Sequence, residues 1–180
     1  MSRTHCDVVD EVVIAAPPSA VWSALMSEHA GQTHWWAPYW EAHPRAPGPL
    51  RVGSEIDFFV HPSGKPTRLL DAHFAGRVTA LVEERQASAE FFSGSTRGLG
   101  EWSLEPANGG THLRMHFKAR AHGARAWLLD AIFGLGSSHS RTVGKGFEGL
   151  QRYLAATSAA EPGRAPMNHP VTAPREMGRC

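Results

Sequence analysis

The chain has 180 residues, of which 42% are hydrophobic and 19% charged, with a formal net charge of +1. That length predicts one domain able to bury its own core, and the composition excludes a disordered or fibrous chain. No run of Lys or Arg marks a nucleic-acid footprint, no stretch is long and apolar enough to span a bilayer, and MSRTHCDVVDEVV at the start lacks a signal-peptide core, so the sequence reads as cytoplasmic.

CDVVDEVVIA (6–15) is rich in β-branched residues and predicts a first strand. Pro17-Pro18 stops it and opens a helix, because proline is tolerated in a first helical turn. PPSAVWSALM then places Val21, Trp22, Leu25 and Met26 at helical spacing. GQTHWWAPYWEAH (31–43) follows, carrying three of the six tryptophans on a second short helix or a loop. HPRAPGP (43–49) reads as irregular, since its three prolines break any ladder.

Strands are expected at 52–61, 69–83, 86–92, 100–106 and 111–121, separated by PSGK, EER, SGSTRG and ANGG. Asn108-Gly109 is a strong hairpin signal, and the short turns argue for an antiparallel meander. Alternation then assigns faces. Leu113, Met115, Phe117 and Ala119 share one side of the last strand; His112, Arg114, His116 and Lys118 share the other. Ile56, Phe58 and Val60 oppose Asp57, and Trp102 and Leu104 oppose Glu101, so one wall of the sheet is apolar. Glu90 stays ambiguous beside Phe91-Phe92, and Arg97 to Gly100 offers a site for a bulge.

From residue 124 to 157 the period changes to that of a helix. Leu128, Ile132, Leu135, His139, Val143, Phe147, Leu150 and Leu154 form one stripe. Glycines interrupt it, each costing about 1 kcal/mol relative to alanine, and a break is expected near Gly134–Ser137. Residues 1–157 make the domain. Residues 158–180, with four prolines and no periodicity, read as a disordered tail.

Several patterns resemble functional motifs without the context they need. GKGFEG (144–149) matches GxGxxG but lies in a helix stripe with no preceding strand, so packing glycines are the better reading. His112 and His116 on a strand stand about 13 Å apart and cannot share a metal. Cys6 and Cys180 lie at opposite ends and form no CxxC. Ser137 and Ser138 precede His139, but helical neighbours point about 100° apart, a poor nucleophile–base geometry. No metal site and no cofactor is implied. His139 is the polar break in the apolar stripe. It faces the sheet either as an acid/base group with a tunable pKa or as a core histidine bonded to a backbone carbonyl. Arg141 points to solvent, and Thr142 flanks the stripe.

IAAPPSAVWSALM (14–26), Trp35-Trp36, RVTALVEER (77–85), GLGEWSLEPANGGTHLRMHF (98–117) and GLQRYL (149–154) together resemble the START/Bet v 1-like (SRPBCC) superfamily, among it the polyketide cyclase/dehydrase-type members. The likeness covers residues 6–157. It implies an α+β helix-grip: a curved antiparallel sheet wrapped around a long C-terminal helix, two short helices after the first strand, and an apolar cavity inside. Trp35, Trp36, Tyr39 and Trp40 then line or gate the entrance, or else plug the end of the barrel.

The resemblance implies a hydrophobic or aromatic small molecule as partner and leaves the oligomeric state open. Expected ligand contacts are Trp35, Trp36, Tyr39, Phe58, Trp102, Met115, Leu135, Thr142 and Val143. A cyclase or dehydratase would use His139 to shuttle a proton, Trp36 and Trp102 to stack on substrate, and Thr142 to hydrogen-bond a carbonyl. A non-catalytic carrier or sensor would need the cavity alone, which the scarcity of inward ionisable groups favours.

Overall fold

Alternating side chains on long strands build one sheet, whose apolar face must then be covered. The computed structural model describes residues 6–67 and 69–160. It contains β1 (Cys6–Ile14), α1 (Pro18–His29), β2 (Trp40–Pro44), β3 (Glu55–Val60), β4 (Ala72–Val82), β5 (Gln86–Gly94), β6 (Thr96–Ala107), β7 (Gly110–Ala121), α2 (Ala124–Phe133) and α3 (Leu135–Ala160). The seven strands run antiparallel in the order β1-β7-β6-β5-β4-β3-β2, with β1 and β2 as the edges. The sheet curls into a half-barrel around α3, which packs on β1 and β7. This is the helix-grip.

The expected faces hold. Leu113, Met115, Phe117, Ala119, Ile56, Phe58, Trp102 and Leu104 are buried on the concave side. Their neighbours face out and pair across strands: His116 Nε2 lies 2.7 Å from Asp7 Oδ1, and Arg45 bridges Asp57 and Glu55. His112 and His116 sit on this outer face, each beside its own carboxylate. Phe91 resolves the β5 ambiguity by turning in, leaving Glu90 exposed and Phe92 outside, under the guanidinium of Arg77. Asn108-Gly109 makes the two-residue hairpin, with Gly109 at φ 85°.

Four details differ from the expectations. A single helix follows β1, and the aromatic segment is a run of turns, so the second short helix falls after β7 instead. Residues 40–44 form a strand; Pro44 is tolerated because β2 is an edge. β6 keeps an unbroken register through residues 96–107, and the irregularities that curve the sheet lie in β4, at Ala75/Gly76 and Val78/Ala80. The helix does break at Gly134, at φ 70°. The break takes α2 off the stripe, however: Leu128 and Ile132 are 53% and 62% exposed, whereas Val143 and Leu150 on α3 are buried. Residues 158–160 continue α3, and the rest of the expected tail lies outside the described residues.

Candidate functional site

The space between sheet and α3 is not filled. A cavity of about 510 Å³ remains there, lined from every strand from β2 to β7 and from all three helices. Its wall is dominated by aromatic rings that touch one another. Trp36 stacks on Trp40 at 4.9 Å, Trp40 tilts over Phe58 at 4.9 Å, and Phe74 meets Phe91 edge-on at 5.0 Å. The exposed lining residues, including Ser63, Gly94, Gly123, Arg125 and Phe133, gather around α2 and the β3–β4 and β5–β6 connections, so the cavity opens there. Arg125 Nη2 donates to the Asp71 carbonyl at 3.1 Å and ties α2 to the β3–β4 connection across that opening.

Of the expected ligand contacts, Trp36, Phe58, Trp102, Met115, Leu135, Thr142 and Val143 line the cavity, and so does His139. Trp35 and Tyr39 do not. Trp35 lies behind Trp36, stacked at 5.5 Å, with its Nε1 donating to the Ala24 carbonyl. Tyr39 packs against Gly64 on the far side of the turn. Trp36 is 2% exposed, and its Nε1 donates to the Thr142 carbonyl at 2.9 Å. This bond ties the ring to the backbone of α3 within the cavity wall. Thr142 Oγ1 donates to the Ser138 carbonyl at 3.0 Å, so its hydrogen is already committed and only lone pairs remain for a ligand.

Two features hold the aromatic turn in place. The buried carboxylate of Glu28, at the end of α1, accepts from Thr33 Oγ1, the Trp35 amide and the Trp36 amide. Burial pushes its pKa up, and these three bonds oppose that. On the other side, a Cβ at Gly146 would sit 2.3 Å from Trp36 Cε2, and one at Gly149 would sit 2.1 Å from the Trp35 carbonyl oxygen. Those glycines of GKGFEG are therefore the floor on which the tryptophans lie.

His139 stacks on Phe117 at 3.8 Å, nearly parallel. Burial drops its pKa to about 3. Its Nε2 bonds no backbone carbonyl; it faces Asp10 Oδ2 at 3.9 Å, too far for a hydrogen bond, and both atoms are buried without a partner. A second histidine, unmarked by the sequence reading, also lines the wall. His29 ends α1, with Nδ1 on the Leu25 carbonyl at 2.8 Å, and burial lowers its pKa as well. Extending the Val21–Leu25 spacing one more turn reaches it. Among the described residues, no cluster of three or more His, Cys, Asp or Glu side chains could hold a metal ion.

Fold and site define a class: a half-barrel closed by a helix over a solvent-connected aromatic cavity. The chain belongs to the family described as polyketide cyclase / dehydrase and lipid transport, whose profile matches residues 5–155. Among solved structures it is similar to the Zhui aromatase/cyclase of Streptomyces sp. R1128, at 14% identity and a TM-score of 0.66 over 89% of this chain and 99% of that one. It is similar to Ara h 8.0201, at 15% identity and a TM-score of 0.59 over 85% and 99%. A protein from Thermus thermophilus gives 17% identity and a TM-score of 0.62 over 84% and 99%. At such identities these likenesses carry the fold alone. A comparison of the sequence with curated proteins finds no match. No described helix is long and apolar enough to cross a membrane.

Proposed function

We propose that this protein binds a hydrophobic, aromatic small molecule in its internal cavity. The observation that carries this is the cavity itself: about 510 Å³, walled by Trp36, Trp40, Phe58, Phe74, Phe91 and Trp102, and open to solvent beside α2. Apolar walls with a few inward polar groups are the usual makeup of a small-molecule site. Titration with the neutral dye N-phenyl-1-naphthylamine tests it. Saturable binding, with the dye's emission shifted to the blue, is expected, and Trp102→Ala weakens it by tenfold or more. An absence of saturable binding contradicts the proposal.

Within that reading, a cyclase or dehydratase role is favoured by the family and by the two histidines in the wall. The pocket would fold a reactive chain and exclude water, and positioning alone can supply several kcal/mol. His139 would take and return the proton. A neutral imidazole with a pKa of about 3 is a weak base, so this role needs the Asp10 carboxylate to draw close and stabilise the imidazolium. His139→Ala should then keep dye binding and lose turnover of a poly-β-ketone thioester. Unchanged turnover removes His139 from the chemistry, and no turnover by the unaltered protein favours a carrier.

A further inference from the structure

A surface helix normally hides one apolar stripe and shows a polar face, whereas a helix apolar all round belongs in a core or against lipid. In α2, ARAWLLDAIF, the polar side chains are Arg125 and Asp130 alone, yet no residue of the helix is buried. Ala126, Leu129 and Phe133 look onto the cavity. Trp127, Leu128 and Ile132 line neither the cavity nor the core, and each is more than half exposed. Leu128 and Ile132 stand one turn apart with Trp127 beside them, so the three form one ridge. Leu69, exposed on the β3–β4 connection, adds apolar surface two residues from Asp71, whose carbonyl Arg125 holds.

The charge around this ridge is one-sided. From residue 120 to 141 the chain carries Arg120, Arg125 and Arg141 against a single carboxylate, Asp130. That carboxylate accepts from the Leu135 amide at the start of α3. Register brings more cation to the same end of the sheet: Arg97 is the cross-strand partner of Arg120, and its Nη1 donates to the Gly94 and Thr96 carbonyls. Lys65 is exposed on the β3–β4 connection. Among the described residues, Lys65, Arg97 and Arg120 meet no carboxylate. Asp71, on that connection, already accepts from the Thr67 amide and faces His61. A second copy of the chain suits this surface badly, because a two-fold contact sets the same patch, cations included, against itself. An anionic bilayer suits both parts of it. Lipid headgroups meet the cations, and the membrane–water interface is where exposed Trp, Leu and Ile on a basic helix settle.

We propose that α2 docks the protein on an anionic membrane surface. Trp127, Leu128 and Ile132 enter the interfacial zone, the surrounding arginines meet lipid headgroups, and the cavity opening beside α2 lies against the bilayer. The helix rests on the membrane and does not cross it: ten residues reach about 15 Å, half the thickness of the hydrocarbon core. This goes beyond the cavity-binding reading, since the docking stands on the outer ridge whatever the cavity holds. Where both hold, an apolar occupant passes between bilayer and cavity without crossing water.

Co-sedimentation of the full chain with vesicles tests it. The unaltered protein should bind phosphatidylcholine vesicles containing about one-third phosphatidylserine at least about tenfold more tightly than vesicles of phosphatidylcholine alone, and salt at about 0.5 M should weaken that binding. The double variant Leu128→Ser, Ile132→Ser should bind the anionic vesicles about tenfold more weakly or worse. Its thermal unfolding should match that of the unaltered protein, which shows that it is folded. The dye titration is read separately: vesicle binding without dye binding overturns the cavity reading and leaves the docking standing. No binding of the unaltered protein to anionic vesicles overturns the docking, and so does equal binding by the double variant. A dimer in analytical ultracentrifugation that the double variant converts to a monomer also overturns it, because a second copy then covers α2.

Discussion

Burial lowers the pKa of both His29 and His139, because a proton on either would place a charge inside the protein with no carboxylate at hydrogen-bond distance. Unfolded, both titrate near pH 6.5. The unfolded chain therefore binds more protons below that pH, and folding stability falls as pH falls. For His139 the loss runs from about pH 6.5 down to its folded value of about 3; its slope approaches about 1.4 kcal/mol per pH unit. Urea unfolding from pH 7 to pH 4 should show this, with a shallower slope in His139→Phe. Identical slopes would mean that His139 is not desolvated. Glycines give a second contrast. Gly146→Ala forces a Cβ into Trp36 and should cost about 1–3 kcal/mol. At Gly144 nothing lies within 4 Å, so Gly144→Ala should stabilise the protein by about 0.5–1 kcal/mol, because alanine suits a helix interior better. Thermal unfolding of the two variants separates them.

Among the elements, α3 and α2 share one hydrophobic period in sequence but not in burial. Val143, Phe147 and Leu150 pack under the sheet, whereas α2 has no buried residue. Leu150→Ala should cost about 2–5 kcal/mol, and Ile132→Ser less than about 0.5 kcal/mol, as read from chemical denaturation. Equal costs would place α2 in the core. This is where sequence reading stops. Alternation along β3, β6 and β7 assigned the inner wall correctly, because period 2 leaves each side chain one of two sides. The break at Gly134 was legible from its glycine. The new direction of the axis beyond it was not, since periodicity says nothing about how two helices sit relative to each other. β2 was hidden by Pro44, which only an edge position excuses. His29 was hidden because the helical spacing was followed only as far as Met26, whereas α1 runs on to His29.

For the whole molecule, the fold leaves space because the sheet curls further than α3 can fill. The bulges in β4 set the curl, and Gly76 and Gly100 give Phe58 and Phe91 room to lie along the wall: a Cβ at Gly100 would come 2.6 Å from Phe91 Cζ. No local sequence pattern reports the size of such a cavity, which depends on long-range closure. A crystal pressurised with xenon measures it most directly, because apolar cavities take up the gas while packed cores do not. Ordered xenon among Phe58, Phe91 and Trp102 is the expected result. An interior without xenon, in which those three rings have closed onto α3, would contradict the binding site proposed for this fold.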